Sequence, residues 1–131
     1  MSETPKDVVV GFFADLNNGK YTEAYERVAP DVDFWIAGRE WSIGGRYDRE
    51  GVQAVLAKKV APALAAPIVA EIVGITAEGR RVAVEVEAGG PTTSGALYQN
   101  QFHFLFVVDD GKIVEAREYH DTLHASRVIG A

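Results

Sequence analysis

The stretch that decides the fold runs from Tyr98 to Asp121 and reads YQNQFHFLFVVDDGKIVEAREYHD. Two apolar, aromatic-rich runs flank Asp109-Asp110-Gly111, where Gly111 supplies the positive φ that a tight hairpin turn needs. The turn type matters because a one-residue slip carries every side chain to the other face of the strand. A two-residue loop at Asp110-Gly111 pairs Asp109 with Lys112, and hence His103 with Glu118. A type I turn with Gly111 as the bulge residue pairs Phe106 with Val114, Phe104 with Ala116, Phe102 with Glu118 and Asn100 with His120. The bulged register sorts the residues better. It gives one face of Asn100, Phe102, Phe104, Phe106, Val114, Ala116, Glu118 and His120, apolar near the turn and polar at the far end. An apolar wall with a few convergent polar groups is the usual lining of a small-molecule pocket.

Working outward, the chain of 131 residues suits a single domain over 1–131 with a real core. No apolar run is long enough to span a membrane, and the N-terminal MSETPKD has neither a basic nor an apolar leader region, so a cytoplasmic location is expected. The absence of cysteine excludes disulfides, thiolate nucleophiles and cysteine-ligated metals. A net charge of −6, with no basic cluster beyond Arg80-Arg81 and Lys58-Lys59, disfavours nucleic acid as a partner.

Helices come first. Thr4, Pro5 and Asp7 make a helix start, and Val8, Val9, Phe12, Phe13 and Leu16 form its apolar stripe until Asn17-Asn18-Gly19. A short helix is expected over 22–28, ended by Pro30. Residues 31–36 read as a strand, with Asp33 and Trp35 on one face and Val32, Phe34 and Ile36 on the other. Residues 41–43 return, and Asp48 caps a long helix over 49–65 that Pro62 kinks or cuts short. Strands follow over 68–76 and 80–88, then the final hairpin. Helices first and antiparallel strands later indicate an α+β fold.

Four stretches carry a family resemblance: LNNG at 16–19, GRYDREGV at 45–52, YQN at 98–100, and DGKI at 110–113 leading into REYHD at 117–121. In order and spacing they resemble the NTF2-like superfamily, in its SnoaL-like and ketosteroid-isomerase-like branch. The resemblance implies a cone, with helices packed on a strongly curved mixed or antiparallel sheet enclosing a pocket. It also implies homodimerisation through the sheet, and chemistry such as isomerisation, polyketide cyclisation, dehydration or epoxide hydrolysis. The positions of the steroid isomerases' tyrosine, general base and protonated aspartate fall on Phe12, Ile36 and Phe102, so those polar groups are lost. The catalytic acid that the epoxide hydrolases and cyclases place on the last strand falls on Glu118. The hydrolases' Arg and Asp fall on Glu85 and Glu87, which removes their clamp.

Glu118 is the leading catalytic residue, since burial on an apolar wall raises a carboxyl pKa toward neutrality. The bland alternative is a surface or ion-paired acid. His120 shares its face and can orient it or exchange a proton with it, or be a simple hydrogen-bonded histidine. Asn100 can polarise a carbonyl, or satisfy backbone groups. Trp35, Asp33, Phe102, Phe104, Tyr25 and Trp41 are the substrate-lining residues, with core packing as the alternative for the aromatics. Glu85 and Glu87 read as solvated, and the valine face of Val82, Val84 and Val86 could serve a dimer. The spacing of His120 and His124 suits a metal only on a helix, so neither metal nor cofactor is expected.

The function expected is cofactor-independent proton transfer on a hydrophobic small molecule. The rivals are a non-catalytic binding or accessory protein with the same pocket, and a structural dimerisation domain whose cone is plugged by its own phenylalanines.

Overall fold

A computed structural model describes residues 3–130. Met1 and Ser2 of the N-terminal stretch, and Ala131 at the end of the expected domain, lie outside the described residues. Helix α1 (Pro5–Asn17) opens with the capping box anticipated: the Asp7 amide donates to Thr4 Oγ1 at 3.1 Å and the Thr4 amide to Asp7 Oδ2 at 3.2 Å. Its buried face is Val8, Val9, Phe12 and Phe13. Helix α2 (Tyr21–Glu26) is shorter than the sequence suggests, because strand β1 (Val28–Ile36) begins before Pro30. β1 lies beside another strand on each side only from Phe34 onward, so Pro30 sits where the ladder has shifted and no amide is required.

The return strand is not at 41–43. Residues 38–44 form turns, and β2 is Gly45–Tyr47, antiparallel to β1. Asp48 caps α3 (Arg49–Val55) by accepting from the Gly51 amide at 2.7 Å. The regular helix then ends early. A wider π turn over Leu56–Val60 and a 3₁₀ turn over Ala61–Ala63 replace the continuous helix expected to 65. Pro62 is the cause: it offers no amide to the carbonyl four residues back, and its ring crowds that turn.

β3 (Val69–Glu78), β4 (Arg81–Pro91), β5 (Leu97–Asp109) and β6 (Lys112–His120) complete one open, six-stranded mixed sheet, ordered β2-β1-β6-β5-β4-β3. Only β1 and β6 pair in parallel. Register shifts in β1, β3 and β6 bend the strands, and the helices pack in the resulting hollow. A last helix, α4 (Thr122–Val128), had no counterpart in the sequence reading. Asp121 caps it, accepting from the His124 amide at 3.1 Å.

The decisive hairpin starts in the two-residue register and leaves it at a bulge further along. Asp110 (φ 51°) and Gly111 (φ 76°) form a two-residue turn, with Asp109 opposite Lys112. The extra residue comes later: Val108 pairs with Ile113 and Val107 with Glu115, so Val114 is the bulge. Beyond it, Phe106 faces Ala116, Phe104 faces Glu118 and Phe102 faces His120. The expected pairs are therefore displaced by two residues, while the sorting of faces survives past the bulge because both registers contain one inserted residue. Before it the sorting fails. Ile113, not Val114, enters the core, its amide donating to the carbonyl of Arg27, just before β1, at 2.8 Å.

The core lies between α1 and the concave face of the sheet. The Phe102, Phe104 and Phe106 rings stack in a row, with centroids 5.6 and 5.3 Å apart. Phe12 and Phe13 meet this row edge-on. Val82, Val84 and Val86 are buried in the same core. They cannot form a dimer face; their alternation with Glu85 and Glu87 marks inside against outside.

Candidate functional site

The concave face does not close on itself. A cavity of about 810 Å³ remains between the sheet, α1, α2 and the irregular segment that follows α3. Phe12, Phe13, Tyr25, Phe34, Phe102 and Phe104 form much of its wall, and Leu56, Ala57 and Ala61 of the broken helix contribute further apolar lining. The phenylalanine row therefore leaves the cone open, against the reading of a plugged structural domain. Phe12, Ile36 and Phe102, the positions where the resemblance implies lost polar groups, all line the cavity and are all apolar.

Among the described residues, the lining carries one carboxyl group, Glu118, and one imidazole, His120, with no lysine or arginine. β6 places the two side chains on its concave side, two residues apart. His120 Nδ1 lies 3.3 Å from Glu118 Oε2. The imidazole is 1% accessible and the Glu118 side chain 18%, the latter toward the cavity that it lines. Trp41 meets the imidazole edge-on at 5.2 Å and Phe102 lies 5.1 Å from it. Trp41 is itself fixed, its indole N–H donating to the Gly130 carbonyl at 3.1 Å.

Removal from water penalises the charged form of each group. It pushes Glu118 up to about 7 and His120 down to about 4, against a small opposing pull from Asp121. Near neutral pH the pair is thus an uncharged imidazole beside a carboxyl group poised between its acid and its base. Burial also raises two phenols in the lining, Tyr98 to about 12 and Tyr25 further, and the Glu118 charge adds to both shifts.

Of the residues expected at the site, Glu118, His120, Phe102, Phe104, Tyr25 and Trp41 share this cavity. Three do not. Asp33 and Trp35 lie on the outer face of the sheet, where Asp33 pairs with Arg46 at 2.6 Å and Trp35 packs under Arg117 and against Tyr119. The alternation in β1 is as read, but the opposite face, Phe34 and Ile36, lines the cavity. A charged residue flanked by Val32 and Phe34 was the available signal, since Asp33 is the face that water can reach.

Asn100 is buried, and its amide is committed to structure. Its Nδ2 donates to Tyr98 Oη and to the Asp121 carbonyl, both at 3.0 Å. Its Oδ1 accepts from the amides of Gln101 at 2.8 Å and Asp121 at 3.3 Å. It pins the end of β6 rather than facing a ligand. Tyr98, quoted in the sequence only as part of a motif, lines the cavity, as does Ile129 beyond α4.

His124 lies on α4, where its Nε2 accepts from the Gln99 amide at 3.3 Å and its ring stacks on Tyr98. Among the described residues no group of three acids, histidines or cysteines is placed to hold a metal ion. No helix among them is long and apolar enough to cross a membrane.

A family model described as the SnoaL-like domain matches residues 9–116. Among solved structures, the fold is similar to wild-type IdmH, a candidate polyketide cyclase from Streptomyces antibioticus. That protein is 24% identical, with TM-score 0.78 over 98% of this chain and 100% of the other. A loop-truncation variant of IdmH is 25% identical, with TM-score 0.76 over 97% and 100%. An NTF2-like protein of unknown function from Burkholderia pseudomallei is 16% identical, with TM-score 0.82 over 98% and 99%. Comparison with curated proteins gives no match.

Proposed function

Since the chain belongs to the SnoaL-like family, with an NTF2-like fold, we propose that it is a cofactor-independent proton-transfer enzyme acting on a hydrophobic small molecule of the polyketide type. The observation that carries this reading is the side chain of Glu118, the one carboxyl among the described residues of a mostly apolar cavity lining, where burial raises its pKa toward neutrality. A general acid or base works best when its pKa lies near the working pH.

In this reading the Glu118 carboxylate takes a proton from a C–H beside a ligand carbonyl, leaving an enolate. It then returns that proton to another carbon, to oxygen, or to a leaving hydroxyl. Isomerisation, ring closure and dehydration differ only in where the enolate's electrons go. His120, held neutral with Nδ1 3.3 Å from Glu118 Oε2, gives the carboxyl a neighbour with which to share the proton. The resemblance to IdmH favours cyclisation within this set. The acid form of Glu118 would serve epoxide opening, but with glutamates at 85 and 87 on the outer side of β4 the cavity has no second charged group to activate water.

The proposal is tested by proton exchange. 2-Acetonaphthone, a flat neutral ketone, is incubated with the protein in D2O, and loss of its methyl proton signal is followed by NMR. Wild type should accelerate the exchange, and Glu118→Gln should lose about 10²–10⁴-fold of that rate. Ligand binding with no exchange in either protein would instead support the rival reading of a binding or accessory protein.

Self-association is also proposed, now on the outer face. Trp35, Leu105 and Tyr119 lie there with the exposed Val73, whereas the inward valines of β4 are unavailable.

A further inference from the structure

Buried polar groups in folded proteins nearly always have partners. Around this cavity most do. The Trp41 indole donates to Gly130, the Asn17 amide is used on both its atoms by Ala70, and Tyr98 Oη accepts from Asn100. Apart from His120 Nδ1, which faces Glu118, the exception is Tyr25. It is 7% exposed, its ring packs edge-on against Phe12 at 5.6 Å, and it lines the cavity. Its hydroxyl has no hydrogen-bond partner among the described residues, yet it is not among the side-chain atoms sealed from all contact. This hydroxyl thus keeps some accessible surface, on a residue that lines the cavity.

The charge of the lining restricts what can meet it. Among the described residues no cation lines the cavity to neutralise an anionic ligand, and their one lining carboxyl can only add negative charge. A carboxylate or phosphate entering here would be desolvated without compensation. The Tyr25 phenol is held in its protonated form, so it offers a hydrogen-bond donor and no charge.

We propose that the Tyr25 hydroxyl is the donor that receives the carbonyl oxygen of an uncharged ligand, and that the cavity selects neutral ketones over carboxylates. This rests on the proposed ligand site and deepens it. The hydrogen bond places the carbonyl that acidifies the neighbouring C–H within the cavity that holds Glu118.

The test compares three probes of one shape: 2-acetonaphthone, its hydrocarbon isostere 2-isopropenylnaphthalene, and the anion 2-naphthoate. Affinities are measured by fluorescence titration on wild type, Tyr25→Phe and the outer-face control Asp33→Asn. The carbonyl stretch of ¹³C-labelled ketone is read by infrared difference spectroscopy. Wild type should prefer the ketone over the hydrocarbon by about 3- to 10-fold, the net worth of one neutral hydrogen bond, and should bind naphthoate more weakly than the ketone.

Tyr25→Phe should erase that preference without changing hydrocarbon affinity, and should move the carbonyl band to higher frequency. Asp33→Asn, on the outer face of the sheet, should keep both signals. A ketone preference that survives Tyr25→Phe, a wild type without one, or naphthoate bound as tightly as the ketone would each overturn the assignment. Failure of the acid–base reading looks different: the methyl protons do not exchange, while the Tyr25-dependent preference persists.

Discussion

His120 Nδ1 stands 3.3 Å from Glu118 Oε2 with no hydrogen-bond partner of acceptable geometry among the described residues. Both groups are desolvated, and their protonation equilibria move in opposite directions. A carboxyl raised to about 7 binds more protons folded than unfolded between pH 4.5 and 7. Its contribution to stability is therefore present at low pH and lost as pH rises through 7. An imidazole lowered to about 4 does the reverse. Its contribution is present above 6.5 and lost as pH falls toward 4.

The wild type should accordingly show a nearly flat pH–stability profile between about 4.5 and 6.5, where the two slopes cancel. Glu118→Gln should unmask a rise in stability with pH over that window. It should also be more stable than wild type above pH 7, by up to ~3 kcal/mol. His120→Phe should unmask the opposite slope. Urea unfolding midpoints across pH 4–8 read all three profiles, and parallel profiles in the three proteins would refute the pairing.

Asn100 carries the junction between β5 and the turn into α4. Truncating it to alanine leaves the part-buried amide bonds of Gln101 and Asp121 without their acceptor, and the buried Tyr98 hydroxyl without a donor. Each stranded buried group costs roughly 1–3 kcal/mol, with relaxation toward water reducing the sum. Asn100→Ala should therefore lose about 2–4 kcal/mol in chemical denaturation. Asn100→Asp should not rescue it, because the lost Nδ2 donated both to Tyr98 Oη and to the Asp121 carbonyl.

These residues show how far the sequence could be read. The α1 cap, the alternation in β1 and β4, and the concave grouping of Phe102, Phe104, Glu118 and His120 follow from periods and caps, which are local rules. The placement of the bulge at Val114 does not. It depends on β6 meeting β1 in parallel at Val28 and Ile113, a pairing between distant segments that no local pattern encodes. Trp35 was assigned to the cavity because an aromatic ring suits a ligand. Alternation alone could not say which face of β1 is concave, although the charge on Asp33 pointed outward. Asn100 looked catalytic from its predicted partner His120; the two-residue displacement puts the Asp121 backbone beside it instead.

Two neighbouring phenylalanines should separate packing from lining. Phe106 is fully buried under Phe12 and Phe13, so Phe106→Ala leaves a void with no route for water and should cost about 3–5 kcal/mol. Phe102 is only partly buried and lines the existing cavity. Phe102→Ala enlarges a space already present and should cost about 1–2 kcal/mol, below the range for a closed core. It should also loosen His120, whose ring it contacts at 5.1 Å. Denaturation midpoints give the stabilities, and the His120 titration followed by NMR should shift only in the Phe102 variant.

The outer face offers the complementary control. Asp33 and Arg46 pair at 2.6 Å, but both side chains are about half exposed, at 49% and 59%. Water and salt screen such a pair to roughly 0–1 kcal/mol. Asp33→Asn should thus change the denaturation midpoint little, with the small difference vanishing at high salt. It should leave proton exchange of a cavity ligand at the wild-type rate. Loss of exchange in Asp33→Asn, with folding intact, would mean that β1 presents its charged face to the ligand after all, and the division between concave and outer faces drawn from Phe34 and Ile36 would fail.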